Sequence, residues 1–183
     1  MKIGIVLSQP PVYSESFLLF KIQGLLKDGF EVELFVDYRD KQFNLCRQNS
    51  LPQNIAGIII QFIKLVATKP GRLFKFIQLE LKDGKSTSKI LRNIYSSLHI
   101  LNSNSIEKIH FGFLTMSIGR ENAAKAIGAR MSASIRGYDI SRYTLRHPNA
   151  YHLIWKKLDK VHYISDALLE KAKRYGLKER ANL

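Results

Sequence analysis

The sequence predicts an α/β fold, a parallel sheet wound by helices on both faces, and three observations predict it. Short apolar runs of strand length recur along the chain, segments of helical periodicity separate them, and Gly, Asp or Ser stands at most of the junctions. Strands that alternate with helices close a sheet through right-handed crossovers, which leaves neighbouring strands parallel.

Lys2–Leu7 is a short apolar run of the kind buried on both faces of a sheet, and it predicts the first strand. Ser14 follows as a helix cap. Phe17, Leu18, Ile22, Leu25 and Leu26 then recur at helical spacing until Gly29 closes the helix. Glu31–Val36 alternates as a second strand and ends at Asp37, so the opening is a β-α-β unit. Residues 40–54 are polar and read as loop. Residues 58–101 carry helical periodicity, interrupted at Pro70 and at Asp83-Gly84, with Ser86 placed to cap the helix of Ile90, Leu91, Ile94, Tyr95 and Leu98. Alternation then resumes, with strands at 106–111, 130–135 and 160–164 and helices at 115–127, 149–158 and 166–175, the last stopped by Gly176. The sum is a doubly wound, Rossmann-like sheet, predicted as one domain over residues 1–183.

Composition bounds the function. A chain of 183 residues with 45% hydrophobic and 24% charged content builds a core and is not disordered. Cys46 is the one cysteine, so no internal disulfide forms, which fits a reducing compartment. The N-terminal apolar run is too short for a signal-peptide core, and no apolar run approaches the ~20 residues of a spanning helix. Lys and Arg number 29 against 15 Asp and Glu, a formal charge of +14. That balance predicts a polyanionic partner: nucleic acid, an anionic membrane leaflet or a phosphorylated substrate.

Ligands of open parallel sheets bind at the carboxyl ends of the strands, near the point where strand order reverses. Here those ends carry Ser14, Glu15 and Ser16, then His110 and Gly112, then Arg136, Gly137, Tyr138 and Asp139, then Ser165. Polar and glycine residues gather there directly after apolar runs, so several groups converge on one crevice. Ser14 and Ser16 either cap the first helix or receive an anion or sugar hydroxyl at its N-terminus. His110 is either a packed histidine or a donor to a ligand. In the run Arg136-Gly137-Tyr138-Asp139 a permanent cation, a permissive backbone, a phenol and a carboxylate follow one strand, as a ligand loop or as an internal Arg–Asp pair.

Residues 58–92 hold eight basic and two acidic side chains interleaved with Phe62, Ile63, Leu73, Phe74, Phe76 and Ile77. Lys64, Lys69, Arg72 and Lys75 are the candidates for a basic amphipathic surface against an anionic membrane or acceptor; the competing reading is a core helix with a solvated lysine face. The first loop has Pro10-Pro11 where a dinucleotide fold places Gly-x-Gly-x-x-Gly, which argues against an NAD or FAD domain. Phosphate-loop, His-Glu-x-x-His and Gly-x-Ser-x-Gly signatures are absent from the sequence. No set of Cys and His has metal-ligand spacing, so no metal is predicted.

Several of these motifs together resemble one family. Lys2-Ile3-Gly4-Ile5-Val6-Leu7 with Ser14-Glu15-Ser16-Phe17 resembles the start of family-4 glycosyltransferases of GT-B architecture, especially those of colanic-acid and exopolysaccharide synthesis. Ile109-His110-Phe111-Gly112 resembles the family's His-containing strand end, and Arg136-Gly137-Tyr138-Asp139 its (His/Arg)-Gly-Tyr-Asp loop. Val161-His162-Tyr163-Ile164-Ser165-Asp166 resembles the strand and serine turn before the last helix of the family's N-terminal domain.

The resemblance implies an acceptor-side N-terminal domain in a retaining transfer of sugar from a UDP- or GDP-sugar to a polysaccharide or lipid-linked acceptor. It implies no metal or other cofactor, a place in the cytoplasm or on the inner face of the plasma membrane, and no nucleic acid. His110, Arg136 and Asp139 take the catalytic positions, and Ser14, Glu15, Ser16, Gly112, Gly137, Tyr138 and Ser165 surround donor or acceptor. The donor-binding half, with its Arg/Lys pair and Glu-x7-Glu, is expected beyond Leu183, leaving residues 1–183 inactive alone. Pro10-Pro11 replaces the family's usual Gly-Gly, and the strand carries one His rather than two. The alternative function is a non-catalytic basic module for polyanions.

Overall fold

The computed structural model describes residues 1–12 and 15–178. Six strands form one parallel sheet: β1 (Lys2–Leu7), β2 (Glu31–Val36), β3 (Arg47–Ser50), β4 (Lys108–Phe111), β5 (Arg130–Ile135) and β6 (Lys160–Tyr163), in the order β3-β2-β1-β4-β5-β6. Strand order reverses between β1 and β4, where Ile5 stands beside His110 and Val6 beside Phe111. Helices α1 (Ser16–Lys27), α2 (Ile55–Thr68), α3 (Pro70–Lys82), α4 (Thr87–Leu101), α5 (Ala123–Ile127), α6 (Thr144–Arg146), α7 (His152–Lys157) and α8 (Asp166–Arg174) connect and flank it. The architecture is the Rossmann-like, doubly wound α/β fold that the alternating pattern predicts.

The two faces are unequal. On one, Leu65, Phe76, Ile94, Leu98, Ile154 and Ala172 of the later helices pack on Val6, Ile109, Phe111, Met131, Ala133 and Ile135 in the main core. On the other, among the described residues, α1 is the helix laid down, with Leu18 and Ile22 against Ile3, Ile5, Leu7, Leu34 and Val36. Each fully buried Leu, Ile or Phe contributes about 1.5–3 kcal/mol relative to exposure, so both clusters hold the sheet firmly. The α1 cluster ends at β1 and β2, however, and includes no residue of β5 or β6.

Three local expectations are corrected. Residues 40–54 are not all loop, because Arg47–Ser50 pairs in parallel with Glu33–Val36 as an edge strand; its wholly polar sequence carries no alternation. Residues 115–127 are not one helix but a 3-10 turn at Leu114–Ser117 and the short α5, separated at Gly119, whose φ of +74° breaks helical geometry. Ser86 occupies the N-cap of α4 without a capping bond, its Oγ lying 3.2 Å from Ser88 Oγ. The breaks at Pro70 and Asp83-Gly84 do separate α2, α3 and α4. Ser14, expected to cap α1, lies outside the described residues; the cap position falls on Glu15, whose side chain makes no capping bond.

Candidate functional site

Alternate residues of β4, β5 and β6 point to the α1 side of the sheet. In register these are Lys108, His110, Arg130, Ser132, Ser134, Lys160 and His162. All are basic or hydroxylic and none is acidic. Their opposite neighbours Ile109, Phe111, Met131, Ala133, Ile135 and Val161 fill the main core. The half of this face beyond α1 is therefore a polar, cationic sheet surface beside the switch point.

His110 sits at its centre, 7% exposed. Lys21, from α1, places Nζ 2.7 Å from His110 Nε2, while His110 Nδ1 lies 2.9 Å from Ser132 Oγ and Nε2 3.0 Å from Ser134 Oγ. The bonding pattern assigns the tautomer. The Lys21 ammonium donates to Nε2, so the ring proton is on Nδ1 and donates to Ser132, whose hydroxyl turns to the Ile109 carbonyl at 3.4 Å. Ser134 Oγ continues the chain to His162 Nδ1 at 3.3 Å. Burial, then the nearby charges of Lys21, His162 and Arg136, lower the His110 pKa to about 3, so the imidazole is neutral. Burial, then Arg136, lowers Lys21 to about 8.

Arg136 follows β5 and stacks its guanidinium 3.6 Å from the Phe17 ring centroid and 5.3 Å from that of Phe113; the two rings meet edge to face. Burial lowers its pKa, against the raising influence of Asp139 and Glu15. Gly112 lies where β1 and β4 approach, and a Cβ there would strike the Leu7 side chain.

Asp139 is placed differently from the sequence expectation. Its carboxylate is fully buried and accepts from Thr115 N (3.1 Å), Thr115 Oγ1 (2.9 Å) and Arg136 N (3.0 Å), which ties the loop after β5 to the 3-10 turn after β4. It faces the protein rather than the crevice, and it shapes the backbone that presents Arg136. Burial raises its pKa, with those hydrogen bonds opposing the rise. Gly137 and Tyr138 are exposed on the loop, and Glu15 and Ser16 are accessible at the start of α1. Ser165 is engaged as the N-cap of α8, accepting from Leu168 N at 3.4 Å.

The basic surface is also corrected. Lys69 Nζ donates to the carbonyls of Asn102 (2.6 Å) and Ser103 (2.5 Å) and to Asn104 Oδ1 (2.6 Å), and Arg72 donates to Leu101 and Ser103 carbonyls. Both are engaged in closing the C-terminus of α4, where cations complement the helix dipole. Lys64 and Lys75 remain exposed. What α2 does expose is apolar: Ile55, Ile59, Ile60, Ile63 and Val66 are all open, Ile60 at 65%, and only Leu65 of the helix is buried.

The structure thus brings His110 and Arg136 together, adds Lys21 and His162 to them, and turns Asp139 inward. Among the described residues no group of three His, Cys, Asp or Glu side chains could hold a metal ion, and no helix is long and apolar enough to cross a membrane. Compared with known proteins, the chain matches no family model and no curated protein.

Proposed function

We propose that this chain is the acceptor-side domain of a glycosyltransferase that moves a sugar from a UDP- or GDP-sugar to a saccharide or lipid-linked acceptor, with a second domain gripping the donor. One observation carries the reading: the polar half of a parallel sheet lies beside its switch point, outside the α1 apolar cluster, with Lys21, His110 and Arg136 gathered there. Neutral His110, buried and with both ring nitrogens engaged, is suited to orient Lys21 and the neighbouring serines toward a sugar hydroxyl, and Arg136 to stabilise negative charge as the nucleotide leaves. Asp139 is a positioning residue beneath them. Sugar transfer by the product of the complete reading frame tests this. His110→Ala and Arg136→Ala are each expected to lower kcat/KM at least tenfold, about 1.4 kcal/mol of transition-state stabilisation, with circular dichroism unchanged. Wild-type rates in both variants remove the site assignment.

The apolar face of α2 favours a peripheral seat on the membrane. The helix carries one charge, Lys64, and no acid, and so suits an anionic lipid surface. Vesicles containing phosphatidylglycerol are expected to sediment the protein, pure phosphatidylcholine vesicles much less, and Ile59→Asp/Ile63→Asp is expected to abolish sedimentation without unfolding. Tighter binding to oligonucleotides than to vesicles across a salt titration would instead favour the basic binding module.

A further inference from the structure

We infer that Lys21, Arg136 and His162 form a seat for a phosphate group at the carboxyl edge of the polar sheet face beside α1. The seat itself does not depend on the transferase reading; only the identity of the phosphate-bearing substrate does.

The geometry argues for an anion of this kind. Three basic side chains from α1, the end of β5 and β6 meet around His110, joined through the Lys21–His110–Ser134–His162 chain of 2.7, 3.0 and 3.3 Å contacts. Among the described residues none of the three makes a salt bridge. The nearby carboxylates do not compensate. Asp139 is buried on backbone and Thr115 donors, and Glu15 acts on Arg136 only through space. Stacking on Phe17 fixes the guanidinium plane, and among the described residues its buried Nε has no hydrogen-bond partner and its outer edge no acceptor. Lys21 and Arg136 each lower the proton affinity of His162 after burial does, the mark of a cationic cluster awaiting negative charge.

A dianionic, tetrahedral phosphate answers all of this. It offers enough charge for one ammonium and one guanidinium, and enough oxygens to reach the His162 imidazole as well. Half-buried Ser132 and exposed Lys160 stand on the same face, so the remainder of the ligand meets polar surface rather than hydrocarbon.

The test is a titration of the 183-residue chain with inorganic phosphate, glycerol phosphate and pyrophosphate, at constant ionic strength held with sodium chloride, reading the imidazole proton of His162. Each phosphate probe is expected to raise the His162 pKa by about one unit while the exposed His147 stays put. Lys21→Met and Arg136→Met are each expected to weaken phosphate at least tenfold, and the exposed His162→Gln, which leaves the fold untouched, about threefold by calorimetry. Pyrophosphate bound at least tenfold tighter than glycerol phosphate assigns the seat to a nucleotide diphosphate; equal binding assigns it to a phosphorylated acceptor. No response beyond that to chloride, or unaltered binding in both Met variants, overturns the inference. Phosphate binding without sugar transfer by the complete protein sinks the transferase reading and leaves the seat. Transfer by a protein that shows no such binding does the reverse.

Discussion

Unfolding at pH 4.5 is expected to require several kcal/mol less than at pH 7, with His110 alone responsible for about 2.7 kcal/mol of the difference. In the unfolded chain this histidine protonates near 6.5, whereas in the folded protein it resists protonation until about pH 3. Unfolding below pH 6.5 therefore takes up a proton. A lowered folded-state pKa contributes stability that is fully present above 6.5 and is lost as pH falls toward 3. The loss runs at about 1.36 kcal/mol per pH unit, applied here over the two units between 6.5 and 4.5. His99 adds to it with the same sign: it is buried against the Phe35 ring, neither ring nitrogen has a hydrogen-bond partner among the described residues, and burial followed by the charge of Arg120 holds its pKa well below the usual value. Lys21 titrates in the alkaline range and does not contribute to this window. Urea titrations at the two pH values measure the effect. In His110→Gln the difference should shrink by about 2.7 kcal/mol, because the carboxylates common to both proteins cancel. An unchanged difference in that variant removes the claim that the imidazole is held neutral.

The strand sequences explain both how much was legible and where legibility stopped. β1 and β2 are near-continuous apolar runs because both of their faces are covered, and the β-α-β unit follows from them directly. β5 alternates strictly, with Arg130, Ser132 and Ser134 on one side and Met131, Ala133 and Ile135 on the other; β4 and β6 alternate too. That alternation is the signature of a sheet with one apolar and one polar face, and it was the signal by which Ser132, Ser134 and His162 could have been found. His110 and Arg136 were legible because ligand groups follow strands. Lys21 was not, since it sits between Phe20 and Ile22 in an ordinary amphipathic helix, and its approach to His110 exists only once α1 has docked 89 residues away in sequence. The direction of the Asp139 carboxylate depends likewise on Thr115, 24 residues earlier. β3 lacked any apolar signal at all, being paired on one side only.

The helical layer behind β5 and β6 rests on a buried polar network, and Lys157→Met is expected to destabilise the protein by about 3 kcal/mol, near the lower end of the cost of breaking a buried ion pair. Glu80, fully buried on α3, accepts from Asn93 Nδ2 of α4 (2.7 Å) and Asn122 Nδ2 beside α5 (2.8 Å). Asn122 Nδ2 also donates to Asp83 (2.8 Å), and Lys157 of α7 closes the circuit by donating to both Asn122 Oδ1 and the Asp83 carboxylate. Burial opposes ionisation of Asp83, yet Lys157 and Asn122 prevail and lower its pKa, so the carboxylate is charged in the neutral range and removal of the ammonium strands it. Methionine keeps the stem that packs in the interface and deletes the charge alone. At roughly 2–4 °C per kcal/mol for a chain of this size, the melting temperature should fall by about 6–12 °C. A second substitution separates pairing from packing. Asp83→Asn in the Lys157→Met background should cost at least 1 kcal/mol less than in the wild type, because the uncompensated charge is already gone, and strict additivity would show that the two groups do not act as a pair. Neither change touches the α1 face of the sheet, so phosphate affinity of the folded fraction should stay at the wild-type value. Lys21→Met, Arg136→Met and His162→Gln, on the α1 side of the sheet, should do the reverse, moving phosphate binding while leaving the melting temperature in place.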